Sequence, residues 1–118
     1  MGKVIITCNG SEPSNLYPPF IIGSSALASG DELVIFFTPS AGPAMKKGVV
    51  EGIKKKGLPD LIELYNAVVE LGGKLILCEL ALDVCGLKQE DVRDELEIAG
   101  ATAFVAKEAQ GATLSLSF

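Results

Sequence analysis

Histidine and tryptophan are absent from the 118 residues, cysteine occurs only three times, and aromatic residues make up 6%. Without histidine the chain has no Ser-His-Asp or Cys-His pair of its own and no imidazole ligands for zinc. Ten basic residues stand against fifteen acidic ones, a net charge of −5. Phosphate neutralisation needs a basic face, so nucleic acid is not an expected partner. The longest uncharged stretch, Pro13 to Gly30, is broken by Pro18, Pro19, Gly23, Ser24 and Ser25. It does not supply the about 20 continuous apolar residues of a membrane span. Met1 to Asn9 has one lysine and a β-branched run but no small-residue cleavage site, so a cytoplasmic location is expected. There is no GxxxxGK[ST] and no GxGxxG after the first strand-like run, and CNGSEPSN is a poor phosphate loop, so no cofactor is expected. The cysteine spacings match no zinc knuckle either, and no metal is expected.

What the chain does have is apolar residues, at 48% with a mean hydropathy of +0.39, against 21% charged. That balance is apolar for a chain whose length predicts one small domain, residues 1–118, with a high surface-to-volume ratio. Burial of part of that surface between subunits is the expected consequence. Three cysteines, an odd number without a secretory pattern, argue for free thiols rather than a disulfide framework.

KVIITC (Lys3 to Cys8), ELVIFFT (Glu32 to Thr38) and KLILC (Lys74 to Cys78) are continuous β-branched and aromatic runs, the pattern of strands buried on both faces. Between the first two, Pro at the start and Gly30 at the end predict a helix near Pro18 to Ser29. Asp60 can cap a second helix, with Leu61, Leu64, Tyr65, Val68 and Leu71 on one stripe and Gly72–Gly73 as its stop. Beyond Cys85 the sequence predicts a turn with one helical turn, a short strand at LEI, and a helix over AGATAFVAKEAQG ending at Gly111. The tail ATLSLSF alternates and predicts a strand with Ala112, Leu114, Leu116 and Phe118 on its buried face. Strands alternating with helical crossovers imply a three-layer α/β/α fold with a mainly parallel sheet of four or five strands. Ligands of such sheets lie at the carboxyl ends of the strands. Cys8, Cys78 and the loop Thr38 to Gly48 are therefore expected to converge there.

Thiol chemistry is what the exclusions leave. If Glu79 to Cys85 is helical, Cys78 lies at its positive end, which favours a thiolate, while Glu79 and Asp83 oppose the effect. Cys85, two turns on, lies roughly 10 Å away, beyond the about 7 Å between Cα atoms that a disulfide tolerates. Against this, free cysteine is often only a small buried hydrophobe. Five of the ten basic residues (Lys46, Lys47, Lys54, Lys55 and Lys56) fall in one short window opposed only by Glu51. A solvated face is the ordinary reading of such a run, and an anion or partner site the sharper one.

GLPDLIELYNAVVELGGKLILCELALDVCGLKQEDV, then LEIAGATAFVAKEA and a final alternating strand, resembles the DsrE/DsrF/DsrH-like sulfurtransferase family. ELVIFFTPSAGPAMKKG is similar to that family's second strand and loop, and the resemblance runs from about Glu32 to Phe118. It departs where Ala81 and Leu82 replace common Ser and Met, and where Cys85 replaces Met. The resemblance implies a small subunit of a homotrimer or hexamer that carries sulfur as a persulfide on Cys78 and passes it to a partner. Sulfur donor and acceptor proteins or small sulfur anions would be its partners, with Cys85 near the place of a second cysteine in related branches; Cys8, at the same sheet edge, is the other candidate second thiol. Such a relay needs thiolate attack on sulfur and no imidazole or metal. Thr38, Lys46 and Lys47 are expected at the mouth of the cleft, where the lysines could steer an anion. Two other readings stay open: a module binding a small anion near Thr38 to Gly48 without catalysis, and a thiol redox protein pairing Cys8 with Cys78.

Overall fold

The apolar runs become the strands of one sheet. In the computed structural model, which describes all residues from Met1 to Phe118, β1 is Lys3–Cys8, β2 Glu32–Phe37, β3 Lys74–Cys78, β4 Leu96–Ala99 and β5 Leu114–Ser117. The sheet is parallel throughout and ordered β4-β3-β2-β1-β5. The helices are α1 (Pro13–Ala28), α2 (Leu61–Glu70), α3 (Leu80–Val84) and α4 (Ala101–Ala103), the last running into a π turn over Phe104–Glu108. The three-layer α/β/α fold with a parallel sheet is as expected, at five strands. No helix is long and apolar enough to cross a membrane.

Strand alternation divides the core unequally. Val4, Ile6 and Cys8 of β1, Leu33, Ile35 and Phe37 of β2, and Leu75 and Leu77 of β3 face α1, α2 and the 3-10 turn Pro39–Met45 in a cluster of 21 buried residues. Ile5, Val34, Phe36, Ile76 and Cys78 face the other way, where Phe104 completes a cluster of six. An aromatic chain organises the thick side: Phe37 stacks on Phe20 at 6.0 Å, Phe20 tilts against Tyr65 at 5.3 Å, and the Arg93 guanidinium lies 4.4 Å from the Tyr65 ring centroid. Arg93 is fixed by Glu51 at 2.8 Å and Glu95 at 3.2 Å.

Several local expectations are revised. Helix α1 starts at Pro13, five residues before Pro18, so Pro13 takes the first-turn place that tolerates a missing N–H, and Pro18 and Pro19 lie inside the helix. Asp60 precedes α2 without capping it through its side chain, and its carboxylate instead meets Lys54 at 3.5 Å. Leu61, Tyr65 and Val68 of the predicted stripe are buried, Leu64 is half-buried, and Leu71 is exposed at the end. The helix predicted over AGATAFVAKEAQG widens from α to π, the Ala109 N–H donating to the Phe104 carbonyl at 2.9 Å. Finally, β5 is an edge strand beside β1, and α1 packs over β1 and β2 instead of over it. Leu116 and Phe118 therefore reach the thick-side cluster, while Ala112 and Leu114 stay exposed.

Candidate functional site

All three cysteines are free, and the backbone disposes of each differently. Cys8 ends β1 on the thick side, fully buried. Its thiol donates to the Asn15 carbonyl at 3.3 Å and makes a longer contact with the Gly10 carbonyl at 3.6 Å. Asn15 is four residues before Pro19, which has no N–H to return the helical hydrogen bond. Cys8 thus partners a carbonyl that the α1 prolines would leave bare. Burial pushes its pKa up to about 11, only partly offset by a hydrogen bond from the Gly10 backbone to the sulfur. At pH 8 about 0.1% of it is thiolate, so iodoacetamide should leave Cys8 unmodified in the folded protein. Labelling of Cys8 before unfolding would contradict that placement. Cys8→Ala should lower stability by about 1–2 kcal/mol, through the unpaired Asn15 carbonyl and the lost volume.

Cys85 follows α3 and is half-buried. Its thiol donates to the Pro39 carbonyl at 3.3 Å. A Cβ added to Gly42 would lie 2.9 Å from the Cys85 Sγ and 3.1 Å from the Ala81 Cβ. Glycine at 42 is what lets the Pro39–Met45 turn close onto α3.

Cys78 ends β3 beside Ala99, the last residue of β4, and is 3% exposed. Unlike the other two thiols, it donates to no backbone carbonyl. The chain turns sharply on both flanks: the Glu79 N–H donates to the Ala99 carbonyl at 2.9 Å, α3 begins at Leu80, and α4 begins at Ala101. Thr38 follows Phe37, the register partner of Leu77, and so lies next to Cys78 at the carboxyl edge. The Thr38 hydroxyl donates to Asn9 Oδ1 at 3.0 Å and to the Cys8 carbonyl at 3.2 Å. Farther along the same edge, the Thr7 and Ser117 hydroxyls bond to each other.

The expected convergence is met in part. Cys8, Thr38 and Cys78 share the carboxyl edge, but Cys8 and Cys78 point to opposite faces of the sheet with β2 between them. Strand parity forbids their pairing, which removes the physical basis of the redox reading. Lys46 and Lys47 are not at the mouth either. Met45 to Lys47 pairs antiparallel with Asp91 to Arg93, beyond the amino end of β4, and Lys47 meets Asp94 at 3.4 Å. The 3-10 turn carries the chain down the sheet, away from Cys78, before the lysines are reached.

Two residues that the sequence does not single out shape the thin face on which Cys78 lies. Phe104 stacks on Phe36 at 4.3 Å and roofs the thin face. It is the single aromatic in an alanine-rich segment, a pattern that marks an anchor. Lys74, at the amino end of β3, holds the far end of that segment through Glu108 at 2.7 Å, with Glu97 at 3.6 Å. The Lys74 hydrogen bond lowers the Glu108 pKa, and the same bond raises that of Lys74. A depressed carboxylate stabilises the fold above its unfolded-state pKa and loses that contribution as pH falls through its folded value. The raised lysine loses its share only as pH climbs through its own elevated value. The pair is therefore intact at neutrality and fails first in acid. Glu108→Gln should flatten the acid limb of stability below about pH 5, measured by urea unfolding. An unchanged limb would mean that the pair contributes nothing.

The comparisons with known proteins bear on this arrangement. The DsrE/DsrF/DrsH-like family matches residues 39–116, about two thirds of the chain. This chain belongs to that family. Among curated relatives, an uncharacterized protein of Methanocaldococcus jannaschii, MJ0760, is 26% identical over 102 residues, 86% of this chain and 37% of its own. YrkE of Bacillus subtilis is 34% identical over 70 residues, 59% of this chain and 42% of its own. The chain thus spans less than half the length of these two. The sulfur carrier protein DsrE2 of Allochromatium vinosum is 27% identical, over 75% of this chain and 80% of its own. Among solved structures, the ychN protein of E. coli superposes with a TM-score of 0.78 at 20% identity over both whole chains. MTH1491 of Methanobacterium thermoautotrophicum gives 0.76 at 9% identity, covering 98% of this chain and 99% of its own. At such identities the DsrE-like match to the solved structures concerns the fold.

Proposed function

We propose that this member of the DsrE/DsrF/DrsH-like family is a cytoplasmic sulfur-carrier subunit that holds a persulfide on Cys78 and passes the sulfur to a partner thiol. The observation that carries the reading is the contrast among the three thiols. Cys8 and Cys85 are spent on backbone carbonyls, whereas Cys78 ends a central strand at the ligand-binding edge of the sheet with no such bond. The sulfur-carrier name of one relative supports the same class of cargo.

The Cys78 thiolate attacks the outer sulfur of a donor persulfide, polysulfide or thiosulfate. The new S–S bond forms as the donor's bond breaks, and the donor leaves as a thiolate, a shortened polysulfide or sulfite. An acceptor thiolate then attacks the outer sulfur of Cys78 and releases Cys78 as a thiolate, so no external oxidant or reductant is consumed. Leu80, Val84 and Leu114 are large, apolar and about half or more exposed, on α3 and β5. They support self-association, and the homotrimer or hexamer is what the family resemblance implies. Intact-protein mass spectrometry after incubation with thiosulfate, polysulfide and a protein persulfide tests the reading. The expected result is a reducible gain of one sulfur atom per subunit, mapped to Cys78. No gain from any donor would sink it.

A further inference from the structure

A thiol that must attack a donor and then, as a persulfide, be attacked by an acceptor is 3% exposed, and its cover is a single layer. The opposite face of the sheet lies under α1, α2 and the 3-10 turn in a cluster of 21 residues. The face of Cys78 has only Ala101 to Glu108 above its six. The outer side of that segment is exposed at Ala101, Thr102, Val105 and Ala106, so nothing within the chain presses it down from outside. Its backbone is half π-helical, a form whose wide turn is uncommon and found disproportionately at functional sites. Its inner contact is one side chain, Phe104, and its far end is fastened by Lys74 to Glu108. Lys3 adds a bond from its ammonium to the Gln110 carbonyl at 2.9 Å.

We infer that Ala101 to Glu108 is a gate over the Cys78 thiol, with Phe104 as its plug and the Lys74–Glu108 pair as its latch. The inference rests on the sulfur-carrier reading for its purpose. Interiors packed to native density leave no room for a second sulfur atom beside a buried thiol. Forming the persulfide then requires Phe104 to withdraw from Phe36, and the loaded and empty subunits differ at the surface over Ala101 to Glu108. Opening is the local, low-energy kind: few apolar contacts are broken, and the sheet beneath keeps its hydrogen bonds.

The test follows the thiol and needs no sulfur donor. Iodoacetamide labelling of Cys78 is timed by peptide mass spectrometry on the whole native protein, in the wild type, Lys74→Met and Glu108→Gln. Cys85 serves as the internal reference. Loss of the latch should raise the Cys78 rate about fivefold and leave the Cys85 rate unchanged, a factor in keeping with one solvent-screened surface ion pair. Equal Cys78 rates in all three proteins would overturn the gate. So would a parallel rise at Cys85, because that reports general loosening. Glu108→Gln keeps the side-chain volume, so it decides the matter should Lys74→Met fail to fold. The two ideas fail separately. A gated Cys78 that accepts sulfur from no donor removes the carrier reading, and a Cys78 that loads freely at an unchanged labelling rate removes the gate.

Discussion

Cys78→Ser should bring sulfur loading to background with every donor while the sheet and assembly survive. A serine hydroxyl is not ionised near neutrality and does not displace a sulfur leaving group, so the loss is chemical and complete. Its structural cost is separable. Serine puts a hydroxyl among Ile5, Val34, Phe36, Ile76 and Phe104, which costs about 1–3 kcal/mol if the group finds no partner. Cys78→Ala avoids the buried hydroxyl and leaves a small cavity, costing about 1 kcal/mol. Two variants with different effects on stability and the same null loading would place the defect in the sulfur. Intact mass reports the loading, thermal unfolding the stability, and light scattering the assembly. Loading retained in Cys78→Ala, with the adduct on Cys85, would reassign the carrier. That alternative is concrete, because Cys85 is the more exposed thiol and its bond to the Pro39 carbonyl can be broken without disturbing a strand.

The sheet was legible because its strands are buried on both faces and read as unbroken apolar runs, which length and flanking turn residues then identify. The same property hid the site's most useful feature. A strand that is apolar on both sides carries no pattern telling which residues share a face, so Cys8 and Cys78 looked like neighbours across a cleft. Register decides the matter: Cys8 pairs with Phe37 and Phe37 with Leu77, which leaves Cys78 on the other face. The lysines misled for a related reason. Their distance from Thr38 in sequence is short, but the 3-10 turn spends those residues travelling toward the amino end of β4, and only the pairing of Lys46 with Val92 reveals it. At α1 the prolines point to a helix start, since interior proline is costly. The compensation lies outside the helix, at the end of β1, in the Cys8 thiol that partners the Asn15 carbonyl.

Truncating one phenylalanine on each face should separate what the two layers do. Phe20→Ala removes the ring between Phe37 and Tyr65 in the thick layer, where nothing can collapse without moving α1. It should cost about 4 kcal/mol and lower Tm by roughly 15 °C. That is a large share of the about 5–15 kcal/mol that holds a typical domain, so all three thiols should label faster together through global opening. Phe104→Ala removes a comparable volume from the thin layer, but the single segment above can settle onto Phe36. The cost should fall at the lower end of the range for such truncations, about 3 kcal/mol, and the kinetic effect should be selective. Cys78 gains access, whereas Cys8, held under α1, and Cys85, held by the Pro39–Met45 turn, should not. Urea unfolding gives the energies and thiol-resolved labelling gives the selectivity. If Phe104→Ala instead accelerates all three thiols in step with its loss of stability, the thin layer is simply part of one cooperative core. The route to Cys78 would then be unfolding of the whole domain, a path too costly for a carrier that must load and unload repeatedly. Selective labelling in Phe104→Ala together with uniform labelling in Phe20→Ala would show that the fold keeps its stability on one face and its reactivity on the other.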